Sequence, residues 1–371
     1  MKTIGCAVLL FPALLIGAEF VPHEVATGLK GGYQVVAADL NHDGKPDLIA
    51  LAPGTNELVW FENPGWQRHV ILANVPRMIN CAALDIDGDG IPEIALAYEF
   101  SNDASKSLGI VAILRHVGDP AQPWRATEID RLPTSHRLRW ANLDTSGRKV
   151  LFNAPLTNAH AAHPEDPLSV PLVYYVPGEW KRRETAPGNM GVQHGILVLN
   201  DGILTASMSG ISRFRLERDG KWNRSVLSVG APEAWPKSGS SDVAAGSTGK
   251  GRFLAAIEPW HGNQVAVYRR HRGKWKREVI DSSLADGHTV IAADFDGNGN
   301  DVIVAGARSG DRSLHLYTWK GGRWISGLLD EGQMAAAACA VSDLNGDGRP
   351  DFACISPVTQ NLKWYENRTA R

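Results

Sequence analysis

Three stretches of the chain share an acidic spacing that suits a hard cation. They begin at Asp39, Asp85 and Asp343 and read D-x-[DN]-x-[DN]-G-x-x-[DE]. Ca²⁺ takes six to eight oxygen ligands, and glycine at position 6 permits the sharp turn that such a loop needs. The spacing therefore predicts calcium-type loops. The candidate ligands are Asp39, Asn41, Asp43, Asp47, Asp85, Asp87, Asp89, Glu93, Asp343, Asn345, Asp347 and Asp351.

A looser copy offers Asp294, Asp296 and Asn298 but has Val302 at position 9. The alternative for all four stretches is that the acidic residues only cap tight hairpins. The flanking runs are short and rich in β-branched or small apolar residues. This favours strand–loop–strand units over the helices of an EF-hand.

A second pattern appears six residues before the first loop position in six of the repeats, the fifth being too degenerate to place. Those positions hold Tyr33, Ile79, His136, His194, His288 and Ala337. Three imidazoles at one structural position can hold a divalent transition metal, with Zn²⁺ favoured and one position open for water or substrate. The alternative for each histidine is a hydrogen-bonded structural role.

Other residues of the same kind stand in the turns expected near this position. SHRLRW adds Arg137 and Arg139, IEPWHGNQ adds Glu258 and His261, and the long insertion NAPLTNAHAAHPEDP adds His160 and His163. We expect them to surround the three histidines.

The repeats themselves predict the fold. The loop starts at Asp39, Asp85, Asp294 and Asp343 are separated by 46, 209 and 49 residues, and degenerate copies at Ala141, Leu199 and Ala244 fill the long gap. The last repeat lacks a fourth strand, which the N-terminal segment can supply. An all-β, seven-bladed β-propeller closed by pairing of the N-terminal strand with the last blade accounts for this. Six or eight blades, or a straight solenoid, remain alternatives.

In such a ring the acidic loops share one face, and the starts of the innermost strands line the channel mouth on the other. We therefore expect the cation loops to be structural and a ligand site to lie at the mouth.

Composition and termini limit the function classes. The formal net charge of −2 gives no basic footprint for nucleic acid and no polybasic membrane patch. Residues 1–18 resemble a secretory signal peptide, which predicts a secreted or periplasmic protein with one propeller domain over 19–371 and no membrane anchor. Cys81, Cys339 and Cys354 are an odd set, favouring buried thiols, with a Cys339–Cys354 pair as the alternative.

The acidic repeats resemble the FG-GAP or VCBS repeats of β-propellers. HRLRWANLD, IEPWHGNQVAVY, DGHTVIAADFDGNG and MAAAACAVSDLNGDGRPDFACI are also similar to the propeller domain of aldos-2-ulose dehydratase-like proteins. That resemblance implies a metal-assisted lyase that eliminates water from a 2-keto sugar such as 1,5-anhydrofructose. Such proteins can carry cupin domains after the propeller.

Under this interpretation His136, His194 and His288 hold the metal, and His160, His163 or His261 removes a proton. Arg137 or Arg139 holds sugar oxygens, and Glu258 orients His261. Two other classes stay open. One is a carbohydrate-binding or adhesive propeller without catalysis, and the other is a polysaccharide lyase that uses a His/Tyr/Arg set including Tyr33.

Overall fold

The computed structural model describes residues 18–144, 146–185 and 188–370. The signal-peptide prediction falls almost wholly on residues outside these ranges and stays a prediction. The described chain forms seven four-stranded antiparallel sheets arranged as the blades of a β-propeller. None of the described residues forms a helix that is long and apolar enough to cross a membrane.

Blades 1, 2 and 3 occupy the first half of the chain. The strands of blade 1 are β2 (Gln34–Ala38), β3 (Asp47–Ala52), β4 (Glu57–Glu62) and β5 (Gln67–Ala73). Those of blade 2 are β6 (Asn80–Leu84), β7 (Glu93–Tyr98), β8 (Ile110–Arg115) and β9 (Arg125–Arg131). Those of blade 3 are β10 (Ser135–Asn142), β11 (Lys149–Pro155), β13 (Val173–Tyr175) and β14 (Arg183–Glu184). Beside blade 3, β12 (Ser169–Val170) pairs with β15 (Asn189–Met190). Short 3₁₀ turns span Pro53–Thr55 and Ala104–Lys106.

Blades 4 to 7 follow in the same order. Blade 4 contains β16 (Gln193–Leu199), β17 (Gly202–Ser207), β18 (Gly210–Leu216) and β19 (Trp222–Ser228). Blade 5 contains β20 (Asp242–Thr248), β21 (Gly251–Glu258), β22 (Gln264–His271) and β23 (Lys274–Asp281). Blade 6 contains β24 (Gly287–Ala293), β25 (Val302–Ala307), β26 (Leu314–Lys320) and β27 (Arg323–Asp330). Blade 7 contains β28 (Ala338–Ser342), β29 (Asp351–Ile355), β30 (Leu362–Asn367) and β1 (Phe20–Ala26).

The seventh blade takes its outermost strand from the N-terminal segment. β1 runs antiparallel to β30, with Phe20 opposite Asn367 and Ala26 opposite Leu362. This pairing is the arrangement that the sequence predicts, and it covers an edge that would otherwise expose unpaired backbone groups.

The core is a ring of apolar layers between neighbouring blades. Every residue of β3, β25 and β29 is buried, because a propeller sheet packs against a neighbour on both faces. Leu51 and Leu96 belong to the layer between blades 1 and 2, and Leu48 and Ala353 belong to the layer that joins blade 7 back to blade 1. These layers fix the innermost strands β2, β6, β10, β16, β20, β24 and β28 around the central channel.

Cys339 and Cys354 form a disulfide in the structure. The preferred interpretation of both as unpaired buried thiols is therefore wrong. The two residues lie directly opposite each other on β28 and β29, which places their sulfur atoms close enough to bond. Cys81 is buried as a free thiol.

Candidate metal centre

The starts of the innermost strands bring three histidines together at one end of the channel. His136 is on β10, His194 on β16 and His288 on β24, and all three are buried. The ring centroids of His136 and His194 are 4.9 Å apart, and those of His194 and His288 are 4.8 Å apart. The convergence of these side chains matches the prediction from their shared position in the repeat.

A fourth imidazole reaches the same place from the β21–β22 turn. The ring of His261, a residue with a left-handed backbone (φ of 50°), lies 4.9 Å from that of His194 and 5.0 Å from that of His288. The potential ligand atoms of His194, His261 and His288 all lie within 4.8 Å of one another. His136 is outside this set. The triad thus differs in one member from the expected one, with His261 in place of His136.

The hydrogen bonds of two of these rings fix where their lone pairs point. Nδ1 of His194 lies 3.1 Å from the carbonyl of Ser241, and Nδ1 of His288 lies 2.5 Å from the carbonyl of Ala337. A carbonyl only accepts, so each Nδ1 carries the proton and each Nε2 presents a lone pair. Metal-bound histidines are usually oriented in this way.

Within the described part of the chain, Nε2 of His288 lacks an ordinary partner, whereas Nε2 of His194 has two neighbours. Nε2 of His288 is buried and has no hydrogen-bond partner among the described residues. Nε2 of His194 lies 3.3 Å from Nε2 of His261 and 3.5 Å from Nη2 of Arg137. Because the Arg308 guanidinium can only donate to Nδ1 of His261, Nε2 of His261 carries the proton in this hydrogen-bond arrangement and donates to His194. Because buried polar atoms are normally paired, this arrangement fits a shared cation such as Zn²⁺ or another divalent transition metal.

The cluster is also in the protonation state that a metal requires. Burial holds the pKa of His136, His194 and His288 well below the usual value of 6.5. Burial, and then the positive charge of Arg308, lowers the pKa of His261 to about 4. All four rings are therefore neutral at pH 7, and only neutral imidazole coordinates a metal.

Asp286 and Arg308 lie beside Nδ1 of His261. The Arg308 guanidinium pairs with both oxygens of Asp286 at 2.9 and 3.0 Å, and its Nη2 also lies 3.1 Å from Nδ1 of His261. Oδ1 of Asp286 lies 3.5 Å from the same nitrogen. Sequence reasoning missed this pair, although Asp286 stands only two residues before His288.

Tyr33 forms the other side of the cluster. Its hydroxyl lies 3.1 Å from Nε2 of His136, and the guanidinium carbon of Arg137 lies 5.2 Å from the centre of its ring. Arg137 also donates from Nε to the carbonyl of His194 at 3.1 Å. Arg139 instead donates to Asn80 Oδ1 at 3.1 Å and to the Leu138 carbonyl at 2.7 Å.

The structure does not bring His160 and His163 to the cluster. Both are exposed, and their backbone amides bond to Asn158 and Asp166. Among the described residues, none of the ring contacts or hydrogen bonds joins either imidazole to the buried histidines. The structure therefore gives no support to either one as the proton acceptor.

The role expected for Glu258 is wrong. Its carboxylate accepts hydrogen bonds from Ser240, Tyr268 and Arg277, and it does not contact His261. The side chain is buried at the end of β21, ahead of the turn that directs His261 to the channel. Asp286 is the carboxylate that faces His261.

One acidic loop gathers its carboxylates as its spacing suggests, and the position-9 residues have a structural role. Asp85, Asp87 and Asp89 offer oxygens within 4.8 Å of one another. The position-9 residue Asp351, by contrast, is buried and accepts backbone hydrogen bonds from Leu344 and Asn367 at 2.9 and 2.8 Å. Asp47 does the same with Leu40 and Asn63. Position 9 thus anchors the blade, and calcium binding by the loops stays a prediction.

Comparisons with known proteins match both parts of the predicted resemblance, the dehydratase-type propeller and the FG-GAP-like repeat. A family model described as "Aldos-2-ulose dehydratase, beta-propeller domain" matches residues 108–271, and one described as "FG-GAP-like repeat" matches residues 39–96. The predicted resemblance is confirmed. The curated aldos-2-ulose dehydratase of Phanerodontia chrysosporium is 24% identical over 88% of this chain. The chain spans only 41% of the length of that relative.

Solved structures support the fold alone. The propeller of Dos1 superposes with a TM-score of 0.53 at 10% identity, covering 90% of this chain and 78% of that one. The extracellular domain of a one-component system from B. thetaiotaomicron superposes with a TM-score of 0.58 at 12% identity, covering 94% of this chain and 40% of that one.

Proposed function

We propose that this protein is a metal-dependent carbon–oxygen lyase that removes water from a keto-sugar at the channel mouth. The observation that carries the proposal is the cluster of neutral imidazoles His194, His261 and His288 beside the Tyr33–His136 pair. The named activity of the curated relative, a dehydratase acting on an aldos-2-ulose, supports this choice of reaction. The ligand would thus be a carbohydrate.

His194, His261 and His288 would hold the metal through Nε2 atoms. A divalent cation bound there would withdraw electrons from the substrate carbonyl and so acidify the adjacent C–H group. Arg308 is close enough to His261 to donate to sugar oxygens next to that carbonyl. Arg137 stands on the opposite side, against Tyr33.

Proton transfer falls to Tyr33 and His136. Tyr33 is half-buried and so is the more accessible member of the pair, whereas His136 is buried. As the Tyr33 oxygen takes the proton from carbon, its own hydroxyl proton passes to Nε2 of His136. The C–O bond to the β-hydroxyl then breaks, and the same pair returns one proton to the departing hydroxide. Water is released, and the site regains its initial protonation state.

The protein would be exported, and its acidic loops would be structural. The predicted signal peptide would place the protein in the periplasm or outside the cell. The loops at Asp39, Asp85 and Asp343 would hold Ca²⁺ as structural elements on the face opposite the reaction.

Metal analysis combined with turnover of 1,5-anhydrofructose tests the reaction. We expect about one transition-metal ion per chain. Changing Tyr33→Phe should lower kcat by about 10²- to 10⁴-fold, the usual worth of a positioned acid–base group, while the metal content stays the same. Tyr174→Phe, a change in a blade core away from the cluster, is the matched control. Turnover that survives in metal-free protein, or in Tyr33→Phe, would reject the scheme.

A polysaccharide lyase is the second candidate. The contact of Tyr33 with His136 and Arg137 favours it, because such enzymes also remove a proton next to a carbonyl group. Release of unsaturated products from polyuronate, with no action on keto-sugars, would select this class. Sugar binding without any turnover would select the carbohydrate-binding propeller.

A further inference from the structure

The central channel contains two guanidinium groups that come from alternate residues of one strand. Arg137 and Arg139 lie on β10, the innermost strand of blade 3. Arg137 contacts Tyr33 of blade 1 and His194 of blade 4, and Arg139 contacts Asn80 of blade 2. Arg137 reaches two other blades and so lies at the channel, and Arg139, two residues further along the same innermost strand, is on the same side of it.

The positive charge there is not matched by carboxylates. Asp242 on β20 is a carboxylate whose charge interacts with both arginines, and no ion pair within 4.0 Å joins it to either one among the described residues. Arg308, by contrast, is paired with Asp286. Arginine remains protonated at neutral pH, so the channel holds two guanidiniums against one separated carboxylate.

The surrounding polar groups add donors and few acceptors. Asn80 is 1% exposed, and its Oδ1 accepts from the Leu138 amide at 2.9 Å and from Arg139 at 3.1 Å. Its Nδ2 is buried without an acceptor among the described residues, and Nδ1 of His136 is likewise without a partner. Buried donors are normally satisfied, so a donor surplus of this kind calls for a ligand with several acceptor oxygens.

We propose that Arg137, Arg139 and Asn80 form a carboxylate subsite next to the histidine cluster, and that the substrate is therefore a sugar acid. The planar guanidinium suits a carboxylate because it can donate two parallel hydrogen bonds. Asp242, on the innermost strand of blade 5, accepts from the Val290 amide through Oδ2 and can accept from sugar hydroxyls through Oδ1. The choice of substrate class rests on the proposed lyase function, whereas the subsite itself requires no turnover.

The test uses two probes that differ only in the acidic group, D-glucuronate and D-glucose. Calorimetric titration of the purified protein in about 0.15 M salt should show glucuronate binding at least about tenfold tighter than glucose, since a charge-assisted hydrogen bond is worth this much or more. Arg139→Gln should weaken glucuronate binding about 10- to 100-fold and leave glucose binding unchanged. Arg323→Gln, at the exposed first residue of β27 in blade 6, is the control and should change neither.

Two further measurements isolate the contribution of the guanidinium charge. Asn80→Asp keeps both guanidiniums but adds a carboxylate beside Arg139, so it should also abolish the preference for glucuronate. Titration after metal removal should retain the preference, because Arg139 is not among the candidate metal ligands. Near-UV circular dichroism shows whether each variant is folded, and the wild-type comparison remains decisive if one is not.

The outcomes distinguish the carboxylate subsite from the lyase itself. Equal binding of the two probes, or binding of neither, overturns the carboxylate subsite. Turnover of a neutral keto-sugar that glucuronate does not inhibit would also overturn it while supporting the lyase. Arg139-dependent binding of glucuronate, with no turnover of any keto-sugar or uronate, would support the subsite and refute the lyase.

Discussion

Asp286 offers a sharp test of the metal centre, because its effect must pass through one ligand. His261 can coordinate through Nε2 only if Nδ1 carries the proton, and that proton needs an acceptor. Asp286 Oδ1, 3.5 Å away, is an acceptor available to that proton. The Arg308 guanidinium, 3.1 Å away, only donates, so coordination through Nε2 requires Nδ1 to exchange Arg308 for Asp286. Changing Asp286→Asn weakens the acceptor and leaves the charge of Arg308 unbalanced beside the ligand.

We therefore expect Asp286→Asn to weaken metal binding about 10- to 100-fold, the usual cost of losing a residue that orients a metal-bound histidine. This corresponds to about 1.4–2.8 kcal/mol. Arg308→Gln removes the competing donor and should not weaken binding. Competition with a chelator of known affinity gives the metal affinity of each variant, and Asp311→Asn, an exposed change elsewhere in blade 6, serves as the control.

The two substitutions separate orientation of the ligand from general structural damage. If Asp286→Asn and Arg308→Gln weaken metal binding equally, the pair acts only as a structural ion pair. If Asp286→Asn leaves the affinity unchanged while His288→Ala abolishes binding, His261 is not a ligand. Either result would refute the reasoning given for Asp286.

Three other outcomes follow from the structure. Asp351→Ala leaves two buried amides without acceptors and should lower the free energy of unfolding by about 2–6 kcal/mol in urea titrations, whereas the exposed Asp347→Ala should have little effect in calcium-free buffer. In metal-free protein the depressed pKa of His261, about 4, means that the unfolded chain binds more protons below about pH 6.5. This contribution to stability is complete above pH 6.5 and is lost as the pH falls towards 4; a stability difference between pH 7 and pH 5 that is the same in His261→Gln would contradict it. Reducing the Cys339–Cys354 bond, which closes a segment with a separation of 15 residues, should cost about 3 kcal/mol in the same titration, and an unchanged unfolding curve in dithiothreitol would count against the bond.

The fold was predictable because each blade repeats a local signal. The acidic loops at Asp39, Asp85 and Asp343 mark the turn between the first two strands of a blade, and their spacing fixes the number of residues per blade. The missing fourth strand of the last repeat then identified the partner of the N-terminal segment. None of these inferences required knowledge of side-chain direction.

The ligand set was less predictable because it depends on turns that do not repeat. His136, His194 and His288 share a register, so their convergence follows from the ring. His261 reaches the cluster because its turn has a left-handed backbone, whereas Glu258, three residues earlier, ends inside the blade. Sequence spacing alone does not specify such a reversal.

Two side-chain pairs were also hard to predict from the sequence, the Cys339–Cys354 disulfide and the Asp286–Arg308 ion pair. Cys339 and Cys354 are adjacent only because the β28–β29 register places them opposite each other. Asp286 directly precedes β24 and Arg308 directly follows β25, so the two meet at the open end of the first hairpin of blade 6. Each pair depends on a register between strands, which a shift of one residue would destroy.

The distribution of the two motifs around the ring suggests why the middle blades look degenerate. Blades 1, 2 and 7 keep complete acidic loops, and the corresponding first-strand positions hold Tyr33, Ile79 and Ala337. Blades 3, 4 and 5 lack such loops and supply His136, His194 and His261. Blade 6 is intermediate, with an incomplete loop and His288. If the loops stabilise blades through a cation, the blades that supply the histidines must obtain their stability in another way. The hydrogen bonds from Arg137 to the His194 carbonyl and from His194 to the Ser241 carbonyl join blades 3, 4 and 5 at the mouth.

The side chains that shape the site therefore also connect the blades that lack complete acidic loops. We expect calcium removal to loosen blades 1, 2 and 7 before it alters the candidate metal centre. Hydrogen exchange can resolve this order blade by blade.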